Sequence, residues 1–143
     1  MMQTISPRYI ANTCMCLAVR KAARVIARDY DAALRPIGLT SGQFSILAFI
    51  SASRPVGVSH LAEELGMDRT TLTAALKPLE RDGWISSTVD PKDARGKHYL
   101  LTLQGRGKLN TAYPIWVNIQ HRVETRLGKG GFDRLHQDIR SLI

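Results

Sequence analysis

Four positions in one short stretch, Thr70, Thr73, Ala74 and Lys77, recur at i, i+3, i+4 and i+7, and Arg81 prolongs the series. On a helix that spacing makes a single stripe, short and hydroxylated at one end and basic at the other. The opposite stripe, Leu72, Ala75, Leu76 and Leu79, has the same spacing and reads as a core face. Taken alone, the polar stripe reads either as a solvated face or as a surface that lies against the edges of stacked bases. A threonine offers a hydroxyl or a methyl to a base edge, and Lys77 and Arg81 stand where phosphates would lie. A second group of reactive side chains follows in Asp90-Pro-Lys-Asp-Ala-Arg-Gly96. An arginine on such a tip can enter a minor groove, where the potential is most negative. Asp93, two residues before Arg95, is placed to hold that guanidinium by a charge-assisted bond.

The remaining chemistry-bearing residues do not assemble. His60, His98, His121 and His136 are scattered, with no nucleophile–base spacing and no paired carboxylates. No His/Cys cluster has zinc spacing. The expectation is therefore no enzyme, no cofactor and no metal. Cys14 and Cys16 lie two residues apart; on one helix they point about 200° from each other and cannot bond. A disulfide framework is not expected.

The elements that must carry these residues follow from the apolar pattern. Residues 8 to 34 read as one long helix, with Ala18, Ala22, Val25 and Ala33 on one face, widened by Leu17, Ile26, Tyr30 and Leu34. It stops near Leu34 because Pro36 disfavours helix at the residue before it. Thr40-Ser-Gly-Gln43 is a capping box that opens a second helix carrying Phe44, Leu47, Ala48 and Ile50. Ser59 is the expected N-cap of a short helix through Leu65. Gly66-Met67 turns the chain, and Asp68 caps the helix with the two stripes. WISSTV (84–89) and KHYLLTL (97–103) are β-prone, joined by a charged loop at 90–96, and form a two-stranded hairpin. Thr102 then caps a long helix whose seam runs through Leu109, Ala112, Trp116, Ile119, Val123 and Leu127, with Pro114 expected to kink it. Phe132, Leu135, Ile139 and Leu142 line a last helix. A short helix, a tight turn and a second helix form a helix-turn-helix, and the hairpin behind it is a wing.

Composition agrees. The chain has 143 residues, 44% hydrophobic and 22% charged, with a formal net charge of +8. That is one globular domain with a preference for a polyanionic partner. The basic residues are spread out, however. Residues 68 to 97 hold six Lys/Arg against five acids, so the pattern and not the charge marks this segment. The longest apolar runs are far short of the roughly 20 residues a membrane helix needs. The N-terminal MMQTISPRYIANT lacks the order of a signal peptide, so a cytoplasmic protein without membrane attachment is expected.

The sequence resembles the MarR family of winged helix-turn-helix transcription regulators. The resemblance rests on Gly38-Leu-Thr-Ser-Gly-Gln-Phe44, Leu61-Ala62 with Leu65, Met67-Asp-Arg-Thr-Thr-Leu-Thr73, Leu79-Glu-Arg-Asp-Gly83, Asp93-Ala-Arg95 and Leu101-Thr-Leu-Gln-Gly105, and it covers nearly the whole chain. It implies a mostly α fold with a small β-hairpin wing. Residues 39–102 would be the winged DNA-binding region, and 1–38 with 103–143 a helical dimerisation region of the same intertwined domain. It implies a homodimer on double-stranded DNA, each subunit placing one helix in the major groove and a wing in the minor groove. Carried over by position, Arg69, Thr70, Thr71, Thr73 and Lys77 would be recognition-helix contacts and Arg95 the wing-tip contact, with Arg81, Asp93 and Lys97 beside them. Many close relatives have arginine where this chain has Ala74, so a base or phosphate contact is expected to be missing there, with a thymine methyl as the alternative partner. The dimer also follows from the apolar seams of the last two helices, which exceed what a small winged module covers. A two-fold dimer implies a near-palindromic operator with half-sites about 34 Å apart.

A regulator of this kind, by default a repressor, needs an input. Cys16 with Tyr30 fourteen residues on resembles the hydroperoxide-sensing branch of the family, in which tyrosine hydroxyls hold a reactive cysteine. Arg20 and Ser41 stand where that branch usually has tyrosine. Arg20, one turn after Cys16, would favour the thiolate. A small aromatic effector lined by Trp116, Tyr113, Tyr30 and Arg20 is the other input the sequence suggests. The competing class is a winged-helix protein-interaction module without specific DNA binding.

Overall fold

The computed structural model describes residues 6–143, so the first five residues of the stretch read against a signal peptide lie outside it. The elements in order are α1 (Pro7–Thr13), α2 (Met15–Leu34), a 3₁₀ turn at Arg35–Ile37, α3 (Ser41–Ala52), β1 (Val56–Gly57), α4 (Val58–Leu65), α5 (Arg69–Arg81), β2 (Ile85–Asp90), β3 (Asp93–Leu101), α6 (Leu103–Leu127) and α7 (Gly131–Arg140). The fold is mostly α with a small sheet, a winged helix-turn-helix.

The long first helix expected from the sequence is two. Cys14 is extended, at φ −65° and ψ 111°, and separates α1 from α2. The hydroxyl of Thr13 donates to the Tyr9 carbonyl at 2.7 Å, competing for an acceptor of the helix ladder, and Asn12 and Thr13 are weak helix formers. Cys14 thus caps α2 instead of sitting inside a helix, and the opposed-faces geometry expected for Cys14 and Cys16 does not apply.

The helix starts were largely legible. Thr40 Oγ1 accepts from the Gln43 N–H at 3.1 Å, and Gln43 Oε1 accepts from the Thr40 N–H at 3.0 Å, completing the capping box. Asp31, reaching over from α2, accepts from the Ser41 N–H at 2.7 Å. Asp68 caps α5. Ser59 does not cap α4; Gly57 holds that position, because Val56 and Gly57 are engaged in a strand and the chain passes from strand directly into helix.

That strand is the second departure. The hairpin has three strands, in the order β1-β3-β2, all antiparallel. Val56 pairs with Tyr99, and both are buried. The expected loop at 90–96 is also tighter than Pro91 and Gly96 suggested. The strands continue to the pair Asp90–Asp93, with a bulge after Val89, leaving Pro91 and Lys92 as the turn. Two aspartates make this closure. Asp90 Oδ1 accepts from the Lys92 N–H at 2.8 Å, and Asp93 Oδ1 accepts from the Arg95 N–H at 2.9 Å.

The wing is fastened to α6 at its first turn. Thr102 Oγ1 donates to the Gly83 carbonyl at 2.6 Å and accepts from the Gly105 N–H at 3.0 Å, while the Thr102 N–H donates to the Trp84 carbonyl at 3.1 Å. A Cβ on Gly105 would lie 2.0 Å from that Trp84 oxygen, so only glycine fits the approach. Beyond this junction α6 runs through Pro114 as one helix.

The core gathers Leu34, Leu39, Ile46, Leu47, Ile50, Leu61, Leu72, Leu76, Leu79, Ile85, Tyr99 and Ala112. Each fully buried leucine contributes about 1.5–3 kcal/mol by removal from water. All of these lie in or beside the winged module. α1 and α7 bury no residue, and Leu34 is the one buried residue of α2.

Candidate nucleic-acid interface

α5 is built to present one face and bury the other. Leu72, Leu76 and Leu79 are buried against the core, with Ala75 half-buried beside them, as the apolar stripe required. Leu79 anchors the last turn, and α5 continues through Pro78 despite the missing donor. The turn before α5 depends on Gly66, whose φ of 63° is left-handed. The opposite stripe is exposed throughout: Thr70, Thr73, Ala74 and Lys77, with Arg69 at its head. Together these five line a shallow surface groove.

β2 packs on α5 and carries the wing to this face. Arg69, Thr73 and Lys77 from α5 line one open cleft, of about 560 Å³, with Asp93, Arg95 and Lys97 from the wing. Six of the nine residues expected to contact DNA are thereby brought together, and Thr70 lies on the adjoining shoulder of α5. The other two are placed differently. Thr71 is committed to the cap: its hydroxyl donates to Asp68 Oδ2 at 2.6 Å and its N–H donates to Asp68 Oδ1 at 2.8 Å. These bonds, the hydroxyl's first, hold the Asp68 carboxyl below its ordinary range. Arg81 sits at the far end of α5, its Nε 3.7 Å from Asp82 Oδ1, and is not among the residues lining the cleft.

Asp93 does not hold the Arg95 guanidinium as expected. Its Oδ1 accepts from the Arg95 backbone N–H, shaping the turn while the side chain of Arg95 stays exposed. A carboxylate two residues ahead of a backbone N–H closes an Asx turn first, and that preference wins over the long-range ion pair. Thr73 likewise donates its hydroxyl to the Arg69 carbonyl at 2.7 Å, so while that bond holds the oxygen can act toward a base only as an acceptor.

The same cleft holds residues the sequence reading missed: His60 from α4, Glu80 from α5, and Asp90 and His98 from the wing. His98 Nε2 lies 3.3 Å from Asp90 Oδ2. The alternation of β3 carried the signal, since His98 pairs with the exposed Thr88 of β2 and so shares the outer face of the wing, where it is partly covered. Glu80 accepts from the Ser87 hydroxyl at 2.7 Å and ties α5 to β2. Burial, and then the nearby Glu80 charge, push the Tyr99 hydroxyl above its ordinary pKa.

The expected input residues do not converge within one chain. Cys16 and Arg20 are exposed on the first turns of α2. Tyr30 is fourteen residues along the same helix, a rise of about 21 Å. Its hydroxyl donates to Gln120 Oε1 at 2.8 Å, and burial followed by the Glu124 charge raises its pKa. Trp116 stacks with Phe44 and Tyr113, at centroid distances of 6.3 and 6.1 Å, beside a shallow groove that these three line. Tyr30 and Arg20 do not line it, so the four-residue effector site is not formed within the chain. Among the described residues, no group of three or more His, Cys, Asp or Glu could hold a metal ion, and no helix is long and apolar enough to cross a membrane.

This geometry is that of a winged helix-turn-helix with its second helix and wing open on one side. A family model described as "MarR family" matches residues 39–97. The solved structure of the Mycobacterium tuberculosis transcriptional regulator MosR, in complex with DNA, is 43% identical, covering 90% of this chain and 92% of that one with a TM-score of 0.82. Curated relatives include the HTH-type transcriptional regulator TtmR of Methylorubrum extorquens, 33% identical over 65% of this chain and 48% of its own length. YwoH of Bacillus subtilis, described as an uncharacterised HTH-type transcriptional regulator, is 30% identical over 63% of this chain and 65% of its own. The chain thus spans less than two thirds of these two curated relatives. It belongs to the MarR family.

Proposed function

We propose that this chain is a sequence-specific DNA-binding transcriptional regulator, a repressor that works as a cytoplasmic homodimer and leaves its operator on a small-molecule or oxidant signal. The observation that carries the reading is the convergence of Arg69, Thr73 and Lys77 from α5 with Arg95 and Lys97 from the wing on one open cleft. α5 enters the major groove, Arg69, Thr70, Thr73 and Ala74 meeting base edges and Lys77 a phosphate. Arg95 reaches the neighbouring minor groove. MosR has been solved with DNA, which supports the same mode here.

The homodimer is supported by the apolar surface exposed among the described residues. Tyr9, Ile10, Met15, Leu17 and Val19 on the N-terminal helices and Leu135, Ile139 and Leu142 near the C-terminus are each more than 40% exposed. A patch of that extent calls for a partner, and a second copy satisfies both ends at once. For the signal, the exposed Cys16 is the oxidant candidate and the Phe44–Trp116–Tyr113 stack the aromatic one.

The test is fluorescence anisotropy on the chain's own upstream intergenic DNA. Arg95→Ala should weaken binding on every sequence, whereas Thr73→Val should change sequence preference. If neither substitution alters binding, α5 and the wing do not dock as proposed. Organic hydroperoxide should release the wild type but not Cys16→Ser; release of both, or of neither, removes Cys16 as the input.

A further inference from the structure

The cleft between α5 and the wing is not strongly basic as it stands. Its lining holds four permanent cations, Arg69, Lys77, Arg95 and Lys97, against three carboxylates, Glu80, Asp90 and Asp93. With both histidines neutral the net charge is one positive. His60 and His98 line the same cleft, and protonation of both makes it three. Among the side chains lining the cleft, the two imidazoles are the kind whose charge changes in the physiological range, and burial moves the Tyr99 hydroxyl further from it.

The two imidazoles are placed to do different things. His60 is exposed on α4, the helix that crosses the DNA backbone in this architecture. His98 is three-quarters buried and packs over Gly57, where an added Cβ would lie 3.4 Å from its ring. Its Nε2 faces Asp90 Oδ2 at 3.3 Å, while the other Asp90 oxygen holds the Lys92 N–H at the wing turn. With His98 neutral, the Asp90 carboxylate subtracts a full charge from the cations that line the cleft. A protonated His98 offsets it, while the other Asp90 oxygen keeps its bond to the Lys92 N–H.

Resting on the DNA-binding reading above, we infer that His60 and His98 are DNA-interface residues that take up protons when the complex forms. Phosphates entering the cleft favour both imidazolium forms, and by linkage proton uptake makes affinity rise as pH falls. Each proton fully taken up tightens binding about tenfold per pH unit.

The experiment is anisotropy on a duplex that the full-length protein binds, at constant ionic strength, from pH 8.0 to 6.0. The wild type should bind at least about fivefold more tightly at pH 6.0 than at pH 8.0, the size expected of partial uptake by two groups. In H60Q/H98Q that ratio should fall to within about twofold, with H60Q, at an exposed position, intermediate. Circular dichroism confirms that the variants are folded; if H98Q is not, H60Q alone must lower the ratio. A flat wild-type profile, or a ratio unchanged in the variants, overturns the inference and leaves DNA binding intact. Absence of binding at every pH, on random DNA at low salt as well, overturns both.

Discussion

Asp31 shows what a single carboxylate does in this fold. From α2 it accepts the Ser41 N–H at the start of α3, and the Ser41 backbone bond, with the Ser41 hydroxyl behind it, holds its pKa below the ordinary value. A depressed carboxylate pKa means the folded state binds its proton less readily than the unfolded chain. Its stabilisation is therefore fully present above the unfolded value near pH 4 and is lost as pH falls through the folded pKa. Urea denaturation of wild type and Asp31→Asn should show a stability gap at pH 7 that closes in acid; a gap independent of pH would contradict the role. Thr102 does two jobs with one hydroxyl, capping α6 and bonding Gly83. Thr102→Ala should lower the unfolding free energy by about 1–2 kcal/mol, read from the urea midpoint. Such roles are half legible in sequence. Thr102 and Asp68 announce themselves as caps, because the pattern is local. The bond from Asp31 to Ser41, and Thr71's commitment to Asp68 over a ligand, are choices among nearby partners that only the folded chain makes.

Among the elements, the winged module was the most legible, since caps, turn glycines and the stripes of α5 all act within a few residues. What stayed hidden depends on long-range pairing or on competition within a turn. β1 is only Val56 and Gly57, too short to show alternation, and exists because β3 offers an open edge beside it. The break at Cys14 turns on one threonine hydroxyl inside an otherwise helical pattern. The wing tip looked like a seven-residue loop because Pro91 and Gly96 were read as breakers and its Asx turns were not. The junction between α6 and the hairpin gives the sharpest element-scale prediction. Gly105→Ala must push the start of α6 away from Trp84, because the clashing atom is backbone and cannot rotate aside. It should cost about 2 kcal/mol or more and should disturb the wing with it. A urea midpoint within error of wild type would show that the junction is looser than the geometry states.

At the scale of the whole molecule, the core occupies the winged half, and among the described residues α1, α2 and α7 carry exposed apolar side chains. If a second copy covers them, stability must depend on protein concentration. Leu135→Asp and Ile139→Asp together should convert a dimer to monomer in sedimentation equilibrium without unfolding the winged module, since α7 buries no residue within the chain. A wild type that sediments as a monomer would remove the proposed assembly. The central claim is that the cleft between α5 and the wing grips DNA phosphates. The most direct measurement is the salt dependence of affinity for duplex DNA, wild type beside Arg95→Ala. Log affinity should fall linearly with log salt, and the substitution should make the slope shallower by about one per phosphate contact removed. An affinity indifferent to salt, or an identical slope in both proteins, would contradict it.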